Sequence, residues 1–230
     1  MDFELERTFA IEFFGALSRD APLREEIVTA MKECVSRYDT GPYENRFIVG
    51  GVIEQILGSA ARDLGFPVEN AGARLQGYDL QLADDRGISV KFVSDRVRRS
   101  SQFRLTNSQG AAGIWRRGTF FVQTGLGIGY ADPDLAPGIT TKSGDGKSLD
   151  VYLLPLLTLW GVEAPSGRSG GTLPPEASVT FEPDPRYFLQ VPVPERPDVR
   201  ATRLASDPIA RDVLSSGKTE RLRRAYRESI

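Results

Sequence analysis

Apolar positions change their rhythm along the chain. Over the first 64 residues they recur at helical spacing; from residue 77 they alternate or gather in short bursts. Residues 4–17 predict a helix, with Phe13, Phe14 and Leu17 on one face. Residues 22–38 predict a second, with Pro22 in its first turn, Glu25 and Glu26 near the positive end of its dipole, and Ile27, Met31 and Val35 as its stripe. These two are expected to pack together. A third helix is predicted from about Glu44 to Leu64, closed by Gly65 with Pro67 just beyond. It is apolar over most of its circumference and is expected to be buried. Gly50, Gly51 and Gly58 lower its propensity and point to close backbone packing. Between Arg46 and Arg62 its only charge is Glu54.

The stretch 77–93 reads as a β-hairpin turning at Asp84-Asp85-Arg86-Gly87, a type I turn with Gly in the fourth place. A turn centred on Asp85 sets Asp79 opposite Lys91 and Gln81 opposite Ser89. Parity then puts Leu80, Leu82, Ile88, Val90 and Phe92 on one face and Asp79, Gln81, Ser89 and Lys91 on the other. Residues 119–123 predict a core strand, and 107–116 a short helix before it. The run 151–162 is apolar but broken by Pro155, so strand and helix both stay open. Residues 161–200 hold eight of the fifteen prolines and predict extended chain with an edge strand such as Tyr187 to Val191. A last helix is predicted over 206–228, with Ser206 or Asp207 as its cap and Pro208 in its first turn. The 230 residues are expected to make one domain: an N-terminal helical part (1–43), a core (44–160), a Pro-rich extended segment (161–205) and a basic C-terminal helix (206–230).

Composition narrows the chemistry. The chain has no histidine and one cysteine, Cys34. This excludes Ser-His-Asp and Cys-His nucleophiles and His-ligated zinc. The single cysteine cannot form an internal disulfide, and the acidic start (Asp2, Glu4, Glu6) is no secretory leader, so a cytoplasmic location is expected. No apolar run reaches membrane-spanning length. Gly144-Asp-Gly-Lys-Ser lacks the first glycine of a phosphate-binding loop, and Gly125-Leu-Gly-Ile-Gly lacks the acid of a dinucleotide fingerprint, so no nucleotide cofactor is expected. Net charge is −2, yet residues 86–118 hold eight basic groups against Asp95 alone, and residues 199–230 hold eight against four acids. The first stripe suits a polyanion.

Asp79 and Lys91 on one sheet face, with Glu54 alone on a buried helix just upstream, form the set that suits metal-assisted phosphodiester hydrolysis. Two carboxylates and a backbone carbonyl suit Mg²⁺, for which Mn²⁺ can substitute; Lys91 would polarise water or steady charge on a phosphate. Ordinary readings compete: Glu54 paired with Arg46 or Arg62, Asp79 bonded to turn backbone, Lys91 snorkelling from an edge. Glu54, then Gly77-Tyr78-Asp79, then Ser89-Val90-Lys91 resembles the PD-(D/E)XK nuclease superfamily, which includes most type II restriction endonucleases. The resemblance covers about residues 44–124. It implies a restriction-endonuclease-like α/β core, a central mixed β-sheet flanked by helices, to which the pattern above adds N-terminal helices and a C-terminal helical tail. It also implies catalytic roles for Glu54, Asp79 and Lys91, with Glu54 and Asp79 on the metal. Ser89 stands where the family has Asp or Glu; Glu54 is the candidate replacement carboxylate and Asp95 a weaker one.

Downstream, Arg96, Arg98, Arg99, Ser101, Gln102, Arg104, Asn107 and Gln109 alternate cations with amides and a hydroxyl, the mixture that contacts phosphates and base edges. The expected activity is therefore Mg²⁺-dependent cleavage of double-stranded DNA by a sequence-specific type II restriction enzyme. A homodimer is expected to match a palindromic site, through the two N-terminal helices or the 151–200 segment. Two alternatives are a phage-defence or repair nuclease acting on structured or modified DNA, and a non-catalytic DNA-binding module with a degenerate nuclease core.

Overall fold

A computed structural model of the chain describes residues 2–38, 43–70, 78–93, 103–106, 117–123, 127–134, 178–181 and 206–230. Helix α1 spans Glu4–Arg19, α2 Ala21–Arg37 and α3 Tyr43–Asp63. The apolar stripes predicted for α1 and α2 are buried: Phe13, Phe14 and Leu17 on the first, Ile27, Met31 and Val35 on the second. Asp20 ends α1 and caps α2, accepting the Leu23 N–H at 3.0 Å, so the two helices meet at one residue. Gly65, with φ +85°, follows α3, the left-handed conformation that glycine adopts without a Cβ penalty. Of the α3 glycines, Gly58 is the tight one, since a Cβ there would lie 2.3 Å from the Asn70 side chain; Gly50 has open space around it.

Strands β1 (Glu69–Asn70), β2 (Leu80–Ala83), β3 (Arg86–Val93), β5 (Thr119–Gln123) and β6 (Gly127–Ala131) form a mixed sheet in the order β1-β2-β3-β5-β6. Only β3 and β5 run parallel, with Ser89 beside Thr119 and Lys91 beside Phe121. A parallel neighbour requires a crossover. Between the two in sequence lies β4 (Phe103–Thr106), which pairs antiparallel with β7 (Ser178–Phe181) in a separate two-stranded sheet. The architecture is thus mixed α/β with helices packed on a five-stranded mixed sheet. Aromatic rings weld the layers: Phe120 of β5 lies 5.9 Å from Phe13 and 5.0 Å from Phe14, and Phe9 meets Phe66 edge-on at 5.3 Å.

The C-terminal part departs from expectation. In place of one helix over 206–228 there are α4 (Ser206–Leu214), a 3₁₀ turn at Gly217–Thr219 and α5 (Glu220–Arg227). Ser216 accepts the Lys218 N–H, and the Thr219 hydroxyl donates to the Leu214 carbonyl at 3.1 Å. Small hydroxyl residues compete with the helical ladder for its backbone groups, and Ser215-Ser216-Gly217 ends it. The break lets both pieces bury apolar residues, Ile209, Val213 and Leu214 on α4, Leu222 and Tyr226 on α5.

The tail is also not a free basic patch. Arg221 donates to Asp20 and Asp63, Arg224 to Asp63, and Arg223 and Arg227 lie on Glu220. Glu26, expected to favour its own helix dipole, accepts the Arg221 and Leu222 N–H groups and so caps α5. No helix among the described residues is long and apolar enough to cross a membrane. The segments 107–116, 151–162 and 187–191, and the Gly144–Ser148 loop, lie outside the described residues; Gly127–Gly129 belong to β6.

Candidate active site

The hairpin puts Asp79 on the expected face but not opposite the expected partner. Its turn is the residue pair Asp84-Asp85, with Asp85 at φ +58°, and Ala83 faces Arg86. The four-residue Asp84–Gly87 turn is therefore replaced by a tighter one. Continued evenly, that register would set Asp79 across from Val90, on the core face. One extra residue in β2, Leu82, intervenes, so that Gln81 pairs with Gly87 and Leu80 with Ile88. Asp79 then falls opposite Ser89, not Lys91. The expected and observed registers differ by two residues, an even slip, which keeps every side chain on its predicted face. Leu80, Ile88 and Val90 are buried in the core as predicted. Gly87 permits the close approach: a Cβ there would stand 2.3 Å from the Leu80 carbonyl oxygen and 2.7 Å from the Tyr78 ring.

Strand β2 begins at Leu80, whereas β3 continues to Val93, so β3 outruns its partner. The Asp79 N–H still donates to the Ile88 carbonyl at 2.9 Å. One step further, the Asp79 carboxylate takes over: Oδ2 accepts the Val90 N–H at 2.5 Å and the Ser89 hydroxyl at 3.0 Å. Oδ1 accepts no hydrogen bond among the described residues. Asp79 does bond backbone, as one reading had it, but on strand β3 rather than at the turn, and with one oxygen only. Lys91 lies two residues along β3 from Ser89, on the same face, and is half-buried.

Glu54 comes to this place from α3. It does not pair with Arg62, whose guanidinium is spent on Asn70, the Val68 carbonyl and Ser59; the Arg46 side chain lies outside what is described. Its carboxyl is pushed up to about 8, chiefly by burial, next by the negative charge of Asp79, with the Lys91 ammonium pulling the other way. The three side chains therefore share one electrostatic neighbourhood. Arg117, just before β5, lies over the Tyr78 ring at 5.2 Å, beside Asp79. Sequence reasoning passed over this pair; its signal was an arginine flanking a core strand and an aromatic flanking the key acid.

The donor set fits Mg²⁺. Mg²⁺ is bound by one or two carboxylates and keeps several waters, which matches the Glu54 carboxyl and Asp79 Oδ1. No group of three or more acidic or cysteine side chains in a metal-holding arrangement occurs among the described residues, so a site here would rest on two carboxylates. Of the basic stripe, Arg86 is engaged elsewhere: it donates to Glu6 at 2.7 Å and 2.5 Å and to the Asp2 carbonyl. Arg104 sits on β4, with its side chain outside what is described. Asp95, Arg96, Arg98, Arg99, Ser101, Gln102, Asn107 and Gln109 lie outside the described residues. No family model, no curated protein and no solved structure matches the chain.

Proposed function

We propose that the protein is a Mg²⁺-dependent endonuclease acting on double-stranded DNA, in the manner of a PD-(D/E)XK type II restriction enzyme. The observation that supports this is that the half-buried Glu54 carboxyl lies near enough to Asp79 and Lys91 to feel both charges, while Asp79 is held by the Val90 N–H where β3 outruns β2. Buried acids with raised proton affinity beside a second acid and a lysine concentrate at reaction centres. A bound Mg²⁺ would lower the acidity constant of its water and polarise a phosphoryl oxygen. The chain's own part is to hold. Ser89 and the Val90 N–H hold one oxygen of Asp79 and leave the other to a ligand. Glu54 offers a carboxyl whose proton a divalent cation displaces. Lys91 stands where an ammonium steadies charge developing on a phosphate or orients the attacking water.

The +7 stripe of residues 86–118 supplies phosphate attraction, reduced by the internal pairing of Arg86. A homodimer on a palindromic site is part of the same reading. The test is plasmid cleavage by the full chain with Mg²⁺, with EDTA, and by Asp79→Ala and Lys91→Ala. The expected outcome is discrete fragments that vanish with EDTA and in both variants; equal digestion by the variants removes these residues from the reaction. DNA binding should weaken steeply as salt rises, because neutralised phosphates release counterions.

One observation favours a second reading. Ser89 spends its hydroxyl on Asp79 where the resembled family carries a carboxylate. A non-catalytic DNA-binding module would bind DNA, cut nothing and bind Mg²⁺ no better than Glu54→Gln does.

A further inference from the structure

A helix carries Glu54, but a helix alone does not fix its distance from the hairpin. Asn70 spans that gap. Its Nδ2 donates to the backbone carbonyl of Glu54 at 2.9 Å, and its Oδ1 accepts from Arg62 Nη1 at 2.8 Å. Only this amide orientation satisfies both neighbours; the reverse would set an amide NH₂ against a guanidinium and a carbonyl against a carbonyl. Arg62 is held in turn by the Val68 carbonyl at 3.1 Å, by Ser59 at 3.2 Å and by the Ala225 carbonyl of α5 at 3.4 Å. Gly58 makes the approach possible, since any Cβ there would meet Asn70 Oδ1 at 2.3 Å and its Cγ and Nδ2 at 2.8 Å. On its other side Asn70 is paired with Leu80 across β1 and β2, and Leu80 is the residue after Asp79.

We propose that Asn70 is the positioning residue of the metal site: wedged at Gly58 and gripped by Arg62, its amide sets the turn of α3 that bears Glu54 at a fixed distance from the strand that begins right after Asp79. This rests on the nuclease reading above. The Glu54 carbonyl is interior to a helix and already accepts the N–H of the following turn, so the Asn70 bond is not needed to satisfy it. Its effect is on placement. Groups that orient metal ligands in this way change metal affinity about 10- to 100-fold when removed.

The test is Mg²⁺ titration of the full chain by calorimetry, with thermal unfolding in parallel. Asn70→Asp is nearly isosteric; it replaces the donor to Glu54 with an oxygen set against that carbonyl and turns the Arg62 contact into an ion pair, which offsets the loss in stability. It should keep the wild-type unfolding midpoint within a few degrees, weaken Mg²⁺ binding about tenfold or more, and add no further weakening in a Glu54→Gln background. Gly58→Ala should weaken binding likewise although alanine is the better helix former. Wild-type affinity in Asn70→Asp, alongside Glu54-dependent binding in the wild-type chain, overturns the positioning claim alone. Absence of Glu54-dependent binding in the wild-type chain overturns the nuclease reading and this claim with it.

Discussion

Buried acids in this molecule are of two kinds. Glu6, Asp63 and Asp132 have side chains only 5%, 2% and 0% exposed, and each is met by arginine: Arg86 on Glu6, Arg221 and Arg224 on Asp63, Arg7 on Asp132. Asp132 also accepts from the Tyr130 hydroxyl at 3.0 Å. These pairs join elements far apart in sequence: α1 to the hairpin turn, α1 to the end of β6, and α5 to the end of α3. Glu54, half-buried but desolvated, is the other kind. Its carboxyl has no hydrogen bond or ion pair among the described residues, and instead of an arginine it faces a second acid and a lysine. Where this chain needs a buried carboxylate for its architecture, it supplies a guanidinium. A half-buried carboxyl that meets no guanidinium among the described residues, and is held charged only at a cost, suits the cation proposed above.

The sharpest break of that contrast is on the structural side. Arg221→Met strands Asp63 in the core with only the exposed Arg224. We expect a loss on the order of 3 kcal/mol, a fall of roughly 6–12 °C in the unfolding midpoint, measured by calorimetry. DNA cleavage per folded molecule should stay within about twofold. Glu54→Gln should do the reverse. It removes a carboxyl that folding must desolvate, so the metal-free protein should be as stable as wild type or more so. Cleavage should fall at least about 100-fold, equivalent to about 2.7 kcal/mol of barrier. If Glu54→Gln instead unfolds the protein and spares cleavage by what remains folded, the two kinds of buried acid are one kind.

The same contrast shows what a sequence can carry. The helical stripes were legible because their spacing depends on local geometry alone: Phe13, Phe14, Leu17, Ile27, Met31 and Val35 are all core. The faces of the hairpin were legible for a weaker reason. Parity survives an even slip, so Asp79 and Lys91 share a face although their predicted pairing was wrong. The Leu82 bulge that preserves parity has no local signature, because it is the tight Asp84-Asp85 turn that demands it. The partnerships of charges were the least legible. Arg86 counted toward a polyanion stripe until Glu6, 80 residues away, claimed it. The basic tail likewise meets Asp20 and Asp63, acids on α2's cap and α3. Asn70 gave only an indirect sign, a glycine inside a buried helix where nothing in the helix required one.

Proton release offers a subtler probe of the same difference. In the unfolded chain the Glu54 carboxyl titrates near its ordinary value of 4.5; in the folded metal-free chain burial and Asp79 push it up to about 8. Between these values the folded state binds the additional proton. Stability from this group is therefore fully present below about 4.5 and is lost as pH rises through about 8, with a slope of up to about 1.4 kcal/mol per unit. Denaturant titrations from pH 5 to pH 9 should show this decline in wild type and not in Glu54→Gln. Because Mg²⁺ must displace the same proton, its affinity should climb up to tenfold per unit as pH rises toward about 8 and level off above it. A wild-type affinity flat from pH 6 to pH 8 sinks the placement of Glu54 on the metal.

The smallest effect separates Ser89 from the three charged groups. Its hydroxyl donates to the same Asp79 oxygen that the Val90 N–H already holds at 2.5 Å. In Ser89→Ala the backbone bond remains, no buried charge is stranded, and only one of two donors on Oδ2 is lost. The expected cost is about 1 kcal/mol of stability. Cleavage should drop only a few-fold, because Oδ1 keeps its aim through the backbone. A loss as deep as that of Asp79→Ala would make the hydroxyl, rather than the Val90 amide, the group that orients the carboxylate. Ser89 would then be a working substitute for the acid the resembled family carries there. An unchanged rate with unchanged Mg²⁺ affinity would leave the strand end itself, where β3 runs past β2, as the feature that holds Asp79 ready.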